Sequence, residues 1–276
     1  MRLEIQFALH DPAHCLAPGL FRSLQKGERR TQKLDLHYQH GEKSLHFKGP
    51  EPLGVDDLKV LQGLVAMAGP IGKSLGPSPK TGHGQQLRTS LELRHEALTE
   101  EALLVKTSYG ALARVIGYAD QDDGRNIRQC VERLWMVSIM VEVNGVRRGF
   151  RLLSSYVSDD VREKLHVALN PQITKAILGS TQHVRICMDE VRALKGDVTR
   201  LLHQRLCGWI NPGHHRKIGL DSLCEYAWPE PGTPSAMKKR RSKARLAVAE
   251  LRDIGWGITK CDREIYAIKR PSLHPA

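Results

Sequence analysis

"SAMKKRRSKARLAVAELRDIGW", Ser235–Trp256, joins four consecutive basic side chains, Lys238–Arg241, to an apolar rhythm that begins directly after them. On a helix of 3.6 residues per turn, Ala244, Ala247, Val248, Leu251 and Ile254 share a face that can pack against a domain. Lys238, Arg241, Ser242 and Arg245 share another face, turned away from it, while Lys239 and Arg240 point off that axis. Thr233 or Ser235 suits the N-cap, and Pro234 suits the first turn. A short helix, "LDSLCEYAW", and a turn, "PEPGTPS", precede this segment. "GITKC", "DR" and "EIYAIK" follow it as strand, turn and strand.

The same order occurs earlier in the chain. "YGALARVIG" reads as a short helix ending at Gly117, and "YADQDDG" as a turn with capping carboxylates. "RNIRQCVERLW" reads as a second helix with Ile127, Cys130, Val131 and Leu134 on one stripe. "SIMVEV" and "RRGFRLL" are strands joined by Asn144-Gly145, a strong two-residue hairpin signal. Helix, turn, helix and hairpin make a winged helix-turn-helix. The predicted fold is therefore α+β, with two tandem winged helix-turn-helix domains in a pseudo-twofold repeat.

An N-terminal arm precedes them. It contains a hairpin in "LDLHYQHGEKSLHF", where Leu34, Leu36 and Tyr38 alternate before the turn and Leu45 and Phe47 after it. Leu58, Leu61, Leu64 and Val65 predict a helix that stops at Gly69. "SSYVSDDVREK" is polar enough to mark a domain boundary. Val191, Leu194, Val198, Leu201, Leu202 and Leu206 predict helical support for the second copy. The expected domains are 1–50 for the arm, 51–160 for the first winged helix and 161–276 for the second.

The chain has 276 residues, 41% of them hydrophobic, and a net charge of +12 from forty-two Lys and Arg against thirty Asp and Glu. Such an excess concerns partners, not fold, and favours nucleic acid or an acidic membrane surface. No apolar run approaches the ~20 residues of a membrane span. The N-terminus lacks the pattern of a signal peptide, which leads us to expect a cytoplasmic protein. The six cysteines are scattered without a C-x-x-C pair and read as small buried hydrophobes. His203 and Cys207 lie one helical turn apart, but two ligands do not make a zinc site.

The basic face of the second long helix suits the major groove, with arginine matched to guanine O6/N7 and lysine to phosphate. The DNA-contacting candidates there are Lys238, Lys239, Arg240, Arg241, Ser242 and Arg245, joined by Lys260, Arg263, Lys269 and Arg270 of the wing. The first copy offers Arg125, Arg128, Gln129 and Arg133, with Arg147, Arg148 and Arg151 on its wing, although Glu132 dilutes that face. Two plainer readings compete: a solvated surface, or a helix for a membrane surface or calmodulin. The second is disfavoured because the packing face is rich in alanine. Aromatic residues are only 5% of the chain, which argues against stacking on single strands.

Other motifs fail. "GPIGKS" lacks the first glycine of a phosphate-binding loop, since Met67 stands there and a helix precedes it. "DQDDGRN" is one residue short of a calcium loop, with Val131 where the bidentate glutamate belongs. No His-x-His lies beside a suitable tyrosine, and no clear carboxylate cluster offers two metals a site. No catalytic residue, metal or cofactor is expected.

The pattern resembles the RepC replication initiators of IncQ-like plasmids, within the wider winged-helix plasmid initiator group. The likeness rests on "HDPAHCLAPGLFR", "GPEPLGVDDLKVLQGLVAMAGP", "CVERLWMVSI", "RRGFRLLSSY", "HVRICMDEVRAL" and "TRLLHQRLCGWINPG". The stretch after Leu75 and the loop at His214–Lys217 match less well. The resemblance implies a non-enzymatic protein that binds directly repeated iterons at a plasmid origin, as double-stranded DNA. It also implies help in opening the origin and recruitment of a plasmid-encoded helicase, with a primase as a further partner. A homodimer that represses its own promoter stays open. The alternative is a winged-helix transcriptional regulator of a plasmid or phage operon. A DNA-processing enzyme would need the constellation that is missing.

Overall fold

The computed structural model describes residues 5–71, 73–75, 85, 102–118, 123–159 and 163–272, in a mixed α and β architecture. Near the N-terminus, β1 (Phe7–His10) leads into α1 (Pro12–Leu16), where Asp11 Oδ1 accepts from the Ala13 N–H at 2.8 Å. After α2 (Glu28–Thr31), the alternating residues form β2 (Leu34–His40) and β3 (Lys43–Gly49). Helix α3 (Val55–Ile71) buries Leu58, Leu61, Leu64 and Val65. It runs past Gly69, the expected stop, because that glycine does not take the left-handed conformation that ends helices.

Strands β4 (Lys73–Leu75) and β5 (Ala102–Thr107) precede α4 (Tyr109–Val115), α5 (Asp123–Met136), β6 (Ser138–Val143) and β7 (Val146–Arg151). Ser108 caps α4, and Gly117 at φ 76° turns the chain out of it. The tip between β6 and β7 is Asn144 at φ 50° and Gly145 at φ 77°, the two left-handed residues a tight hairpin needs. The capping carboxylates expected at Asp120 and Asp122, and the Gly72 backbone, lie outside the described residues.

β8 (Leu153–Asp159), β9 (Lys164–Leu169), α6 (Pro171–Ile177), β10 (Val184–Cys187), α7 (Met188–Ala193) and α8 (Asp197–Trp209) come next. The chain then forms β11 (His215–Gly219), α9 (Leu220–Ala227), α10 (Pro234–Asp253), β12 (Gly257–Asp262) and β13 (Ile265–Lys269). Helix, helix and hairpin thus occur twice, as α4, α5, β6–β7 and as α9, α10, β12–β13.

The sheets depart from the linear reading. The hairpin expected in an arm pairs through β3 with β6, giving the order β2-β3-β6-β7, with Phe47 opposite Ile139. Leu45 and Phe47 are buried, so the hairpin gains a core that it would lack alone. The polar stretch expected as a boundary contributes β8 and the start of β9, which join the sheet β4-β5-β9-β8. Buried Leu153, Leu165 and Val167 hold it there. The order β11-β13-β12 makes a third sheet, and β1 pairs with β10.

One hydrophobic core runs through all of this, from Ala8 to Ile268. The periodicity around Val191–Leu206 divides into α7 and α8 at the break near Gly196. There Glu250 of α10 accepts from the Gly196 N–H at 3.1 Å and the Thr199 hydroxyl at 2.5 Å. A side chain of α10 therefore satisfies one of the orphan backbone donors at the start of α8. Among the described residues no helix is long and apolar enough to cross a membrane.

Candidate nucleic-acid interface

Helix α10 starts where Thr233 Oγ1 accepts from the Ala236 N–H at 3.3 Å and Pro234 takes the first turn. Ala244, Ala247, Val248 and Leu251 are buried, and Ile254 is partly buried just past the helix end. Small alanines on this face let α10 approach α8 and α9 closely. The opposite face carries Lys238, Lys239, Ser242, Lys243 and Arg245, all exposed, and Leu246, which is 69% exposed.

The basic residues divide by their partners. Arg241 donates from Nε and Nη2 to the two oxygens of Asp221 at 2.6 and 2.8 Å. Arg245 Nη2 lies 3.0 Å from both oxygens of Glu264. Arg240 donates to the Glu230 carbonyl at 2.6 Å and stands over the Trp228 ring. Among the described residues no ion pair involves Lys238, Lys239 or Lys243. Lys239 is thus on the open face and Arg241 half-buried at its edge, which reverses the faces assigned to them from the sequence. Arg241 bonding holds the Asp221 carboxyl below its ordinary range, so the pair stays ionised at neutral pH.

On the β12–β13 hairpin, Lys260, Arg263 and Lys269 are exposed. Lys260 joins Arg245 and Arg252 in lining a groove of about 250 Å³ between α10 and β12. Arg270 corrects the sequence reading. It is buried, and its guanidinium donates to the carbonyls of Cys207 at 2.6 Å, Ile210 at 3.1 Å and Arg185. It ties the end of β13 to α8 and β10, and it is not available to a phosphate.

In the first unit, α5 presents Arg125 and Gln129, both exposed, while Arg128 is half-buried over the Tyr109 ring. Arg133 is a second correction: it is buried and paired with Asp57 of α3 at 2.8 Å. On the β6–β7 hairpin, exposed Arg147 lies 2.6 Å from Glu142, and Arg148 is exposed. Arg151 stacks over Trp135, 4.3 Å from the ring centre, and donates to its carbonyl.

Lys243, Leu246, Arg252, Asp221 and Glu264 were not among the expected contacts. Lys243 continues the charge run and was legible there. The two carboxylates belong to other elements, so no local pattern signals them.

Among the described residues, two side-chain groups could hold a metal. Asp35, His37 and His46 are gathered on the β2–β3 hairpin, with Asp35 Oδ1 2.5 Å from His46 Nε2. Glu190, His203 and Cys207 are gathered in the core, with Glu190 Oε2 2.6 Å and Cys207 Sγ 3.6 Å from His203 Nε2. Glu190 is the third donor beside the pair legible in the sequence, and both it and Cys207 already engage His203 Nε2. A cleft of about 540 Å³ lies between the β2-β3-β6-β7 sheet and helices α1 and α6, lined by His14, Lys43, Leu45, Arg148, Phe150 and Lys175 among others.

Comparison with known proteins places these features. The family model described as replication protein C (RepC) matches residues 2–272. A crystal structure of selenomethionine derivatives of domains 2 and 3 of RctB is similar at TM-score 0.56 and 12% identity, covering 95% of this chain and 99% of that one. A second structure of RctB domains 2–3 is similar at TM-score 0.54 and 10% identity, covering 94% of this chain and 95% of that one. At these identities the likeness concerns the fold alone. Among curated proteins none matches the sequence.

Proposed function

The chain belongs to the replication protein C (RepC) family, and from that premise we propose that it initiates replication of an IncQ-like plasmid by binding directly repeated iterons in the origin as double-stranded DNA. The observation that carries this reading is α10: a helix packed through alanines, with lysines and an exposed leucine on its free face, followed directly by a basic hairpin. Read as winged helices, both helix–helix–hairpin units lay their second helix in a major groove, where side chains near its N-terminus meet base edges. Lysines on α10 and the wing neutralise phosphates, and Leu246 is placed to touch a thymine methyl.

The protein acts in this reading as a cytoplasmic binding module, not as an enzyme. Bound at the iterons, it helps open adjacent DNA and brings in a plasmid-encoded helicase, with primase following. A second reading, transcriptional regulation of a plasmid or phage operon, draws support from the cleft of about 540 Å³, a volume suited to an effector. A homodimer at its own promoter would fit either role.

Footprinting the purified chain on its own plasmid origin tests the proposal. Two winged helices entering successive major grooves about 10 bp apart should protect roughly 20 bp of one repeat. Protection of about one turn would overturn two-site docking, and protection of a promoter but not of the repeats would favour the regulator.

A further inference from the structure

On α10, the two arginines best shaped to read a base are the two that carboxylates hold. Arg241 meets Asp221 fork to fork, at 2.6 and 2.8 Å, and Arg245 meets Glu264 with one nitrogen shared at 3.0 Å. We infer that Asp221 and Glu264 determine DNA specificity, by withholding Arg241 and Arg245 from phosphates and releasing them only to a matching base edge. This rests on the DNA-binding reading above.

Each carboxylate reaches α10 from a different flanking element. Asp221 stands in the first turn of α9, and Glu264 in the β12–β13 turn at φ 62°. All four side chains are between 41% and 57% exposed. Pairs so exposed add little to folding, because water competes with them and ordering long side chains offsets the attraction. Two charged pairs along a helix face turned to a partner are therefore poorly explained as a stability device.

Their placement does affect what a polyanion meets. Lys238, Lys239, Lys243, Lys260 and Arg263 are exposed, and among the described residues none of them is in an ion pair. Random DNA can engage these cations without disturbing the arginines. To recruit Arg241 or Arg245 as well, a phosphate must displace a carboxylate that offers equal charge and leave it facing the backbone unpaired. A guanine edge is different. Its O6 and N7 accept both forks of one guanidinium, and the base is neutral. There the displaced carboxylate meets no like charge on the group that replaces it. Repulsion against the wrong partner then contributes to discrimination along with attraction to the right one.

The test uses the full chain with Asp221→Asn, Glu264→Gln and the double substitution, each nearly isosteric. Affinities are measured by fluorescence anisotropy on a duplex carrying one origin repeat and on a scrambled duplex of the same composition, at several salt concentrations. The double variant should bind the scrambled duplex roughly five- to tenfold more tightly. Its salt slope there should steepen by about one unit or more as freed arginines take phosphates. The repeat should gain less, so the specificity ratio falls severalfold. Wild-type discrimination together with variants whose two affinities move by one common factor would overturn the inference alone, because mere removal of negative charge does that. A wild-type chain that binds both duplexes alike would remove the DNA-reading role and the inference with it. Melting curves that match wild type confirm that all variants are folded.

Discussion

Arg133 Nε lies 2.8 Å from Oδ1 of Asp57, and both side chains are shielded from solvent by the packing of α5 on α3. Asp57 also accepts from the Gly54 N–H at 2.7 Å and lies 2.9 Å from Arg29. The carboxylate is therefore a hub holding the start of α3, the loop before it and α5 together. Its position decides that α5 turns Arg125 and Gln129 outward and keeps Arg133 for the fold.

Removing Arg133 should accordingly damage stability first. Arg133→Met breaks a buried pair, a change that typically costs about 3–5 kcal/mol, with Arg29 keeping the loss toward the lower end. Arg125→Ala should leave stability within about 0.5 kcal/mol and weaken DNA binding. Denaturant melts of the two variants check this, and an Arg133→Met protein as stable as wild type would contradict the assignment.

Neighbouring residues at the end of β13 should behave in opposite ways. Arg270→Ala strands three carbonyls that now receive charged donors, at a cost of at least ~3 kcal/mol. Its salt slope for DNA should stay at the wild-type value wherever the protein remains folded. Lys269→Ala should leave the melting temperature unchanged and lower the slope by about 0.9 if this lysine meets a phosphate. Thermal melts and salt titrations on one duplex separate the pair; the reverse pattern would refute it.

Stability should fall on both sides of a maximum near neutral pH. Burial, reinforced by His14, lowers the His10 pKa to about 3, and burial also lowers that of His14, against the opposing pull of Asp11. A lowered folded-state pKa gives stability above the unfolded value near ~6.5, lost as pH falls toward the folded one. His203 shifts the other way. Burial disfavours its charge, but Cys207 and Glu190 outweigh burial and raise it to about 10. That contribution is complete below ~6.5 and is lost as pH rises toward 10. Melting temperatures across this range should show His10→Phe flattening the acid limb and Glu190→Gln flattening the alkaline limb. Variants with unchanged limbs would show that these groups do not govern the profile.

The local elements were legible from residue order alone. Periods of 3.6 and 2 placed α4, α5, α9, α10 and the hairpins, because a side chain's face follows from its position along one element. Thr233 and Pro234 began α10, and Asn144-Gly145 closed a hairpin, because caps and tight turns use only neighbouring atoms. The repeated helix–helix–hairpin order and the alanine-lined face of α10 followed from the same rules.

What each element met depended on how distant parts of the chain packed. The β2–β3 hairpin joined β6, and the polar residues near Ser154 became strand, since strand partners are chosen by which buried faces can be covered across long separations. A cation's fate was equally non-local. Arg133 and Arg270 read as surface charge because arginine is rarely buried, yet Asp57 and the carbonyls of Cys207, Ile210 and Arg185 satisfied their donors in the core. Arg241 and Arg245 read as free forks, and the fold brought Asp221 and Glu264 to them from 20 and 19 residues away. Periodicity reports which way a side chain points on its own helix; the charge waiting there is set by how separate elements pack.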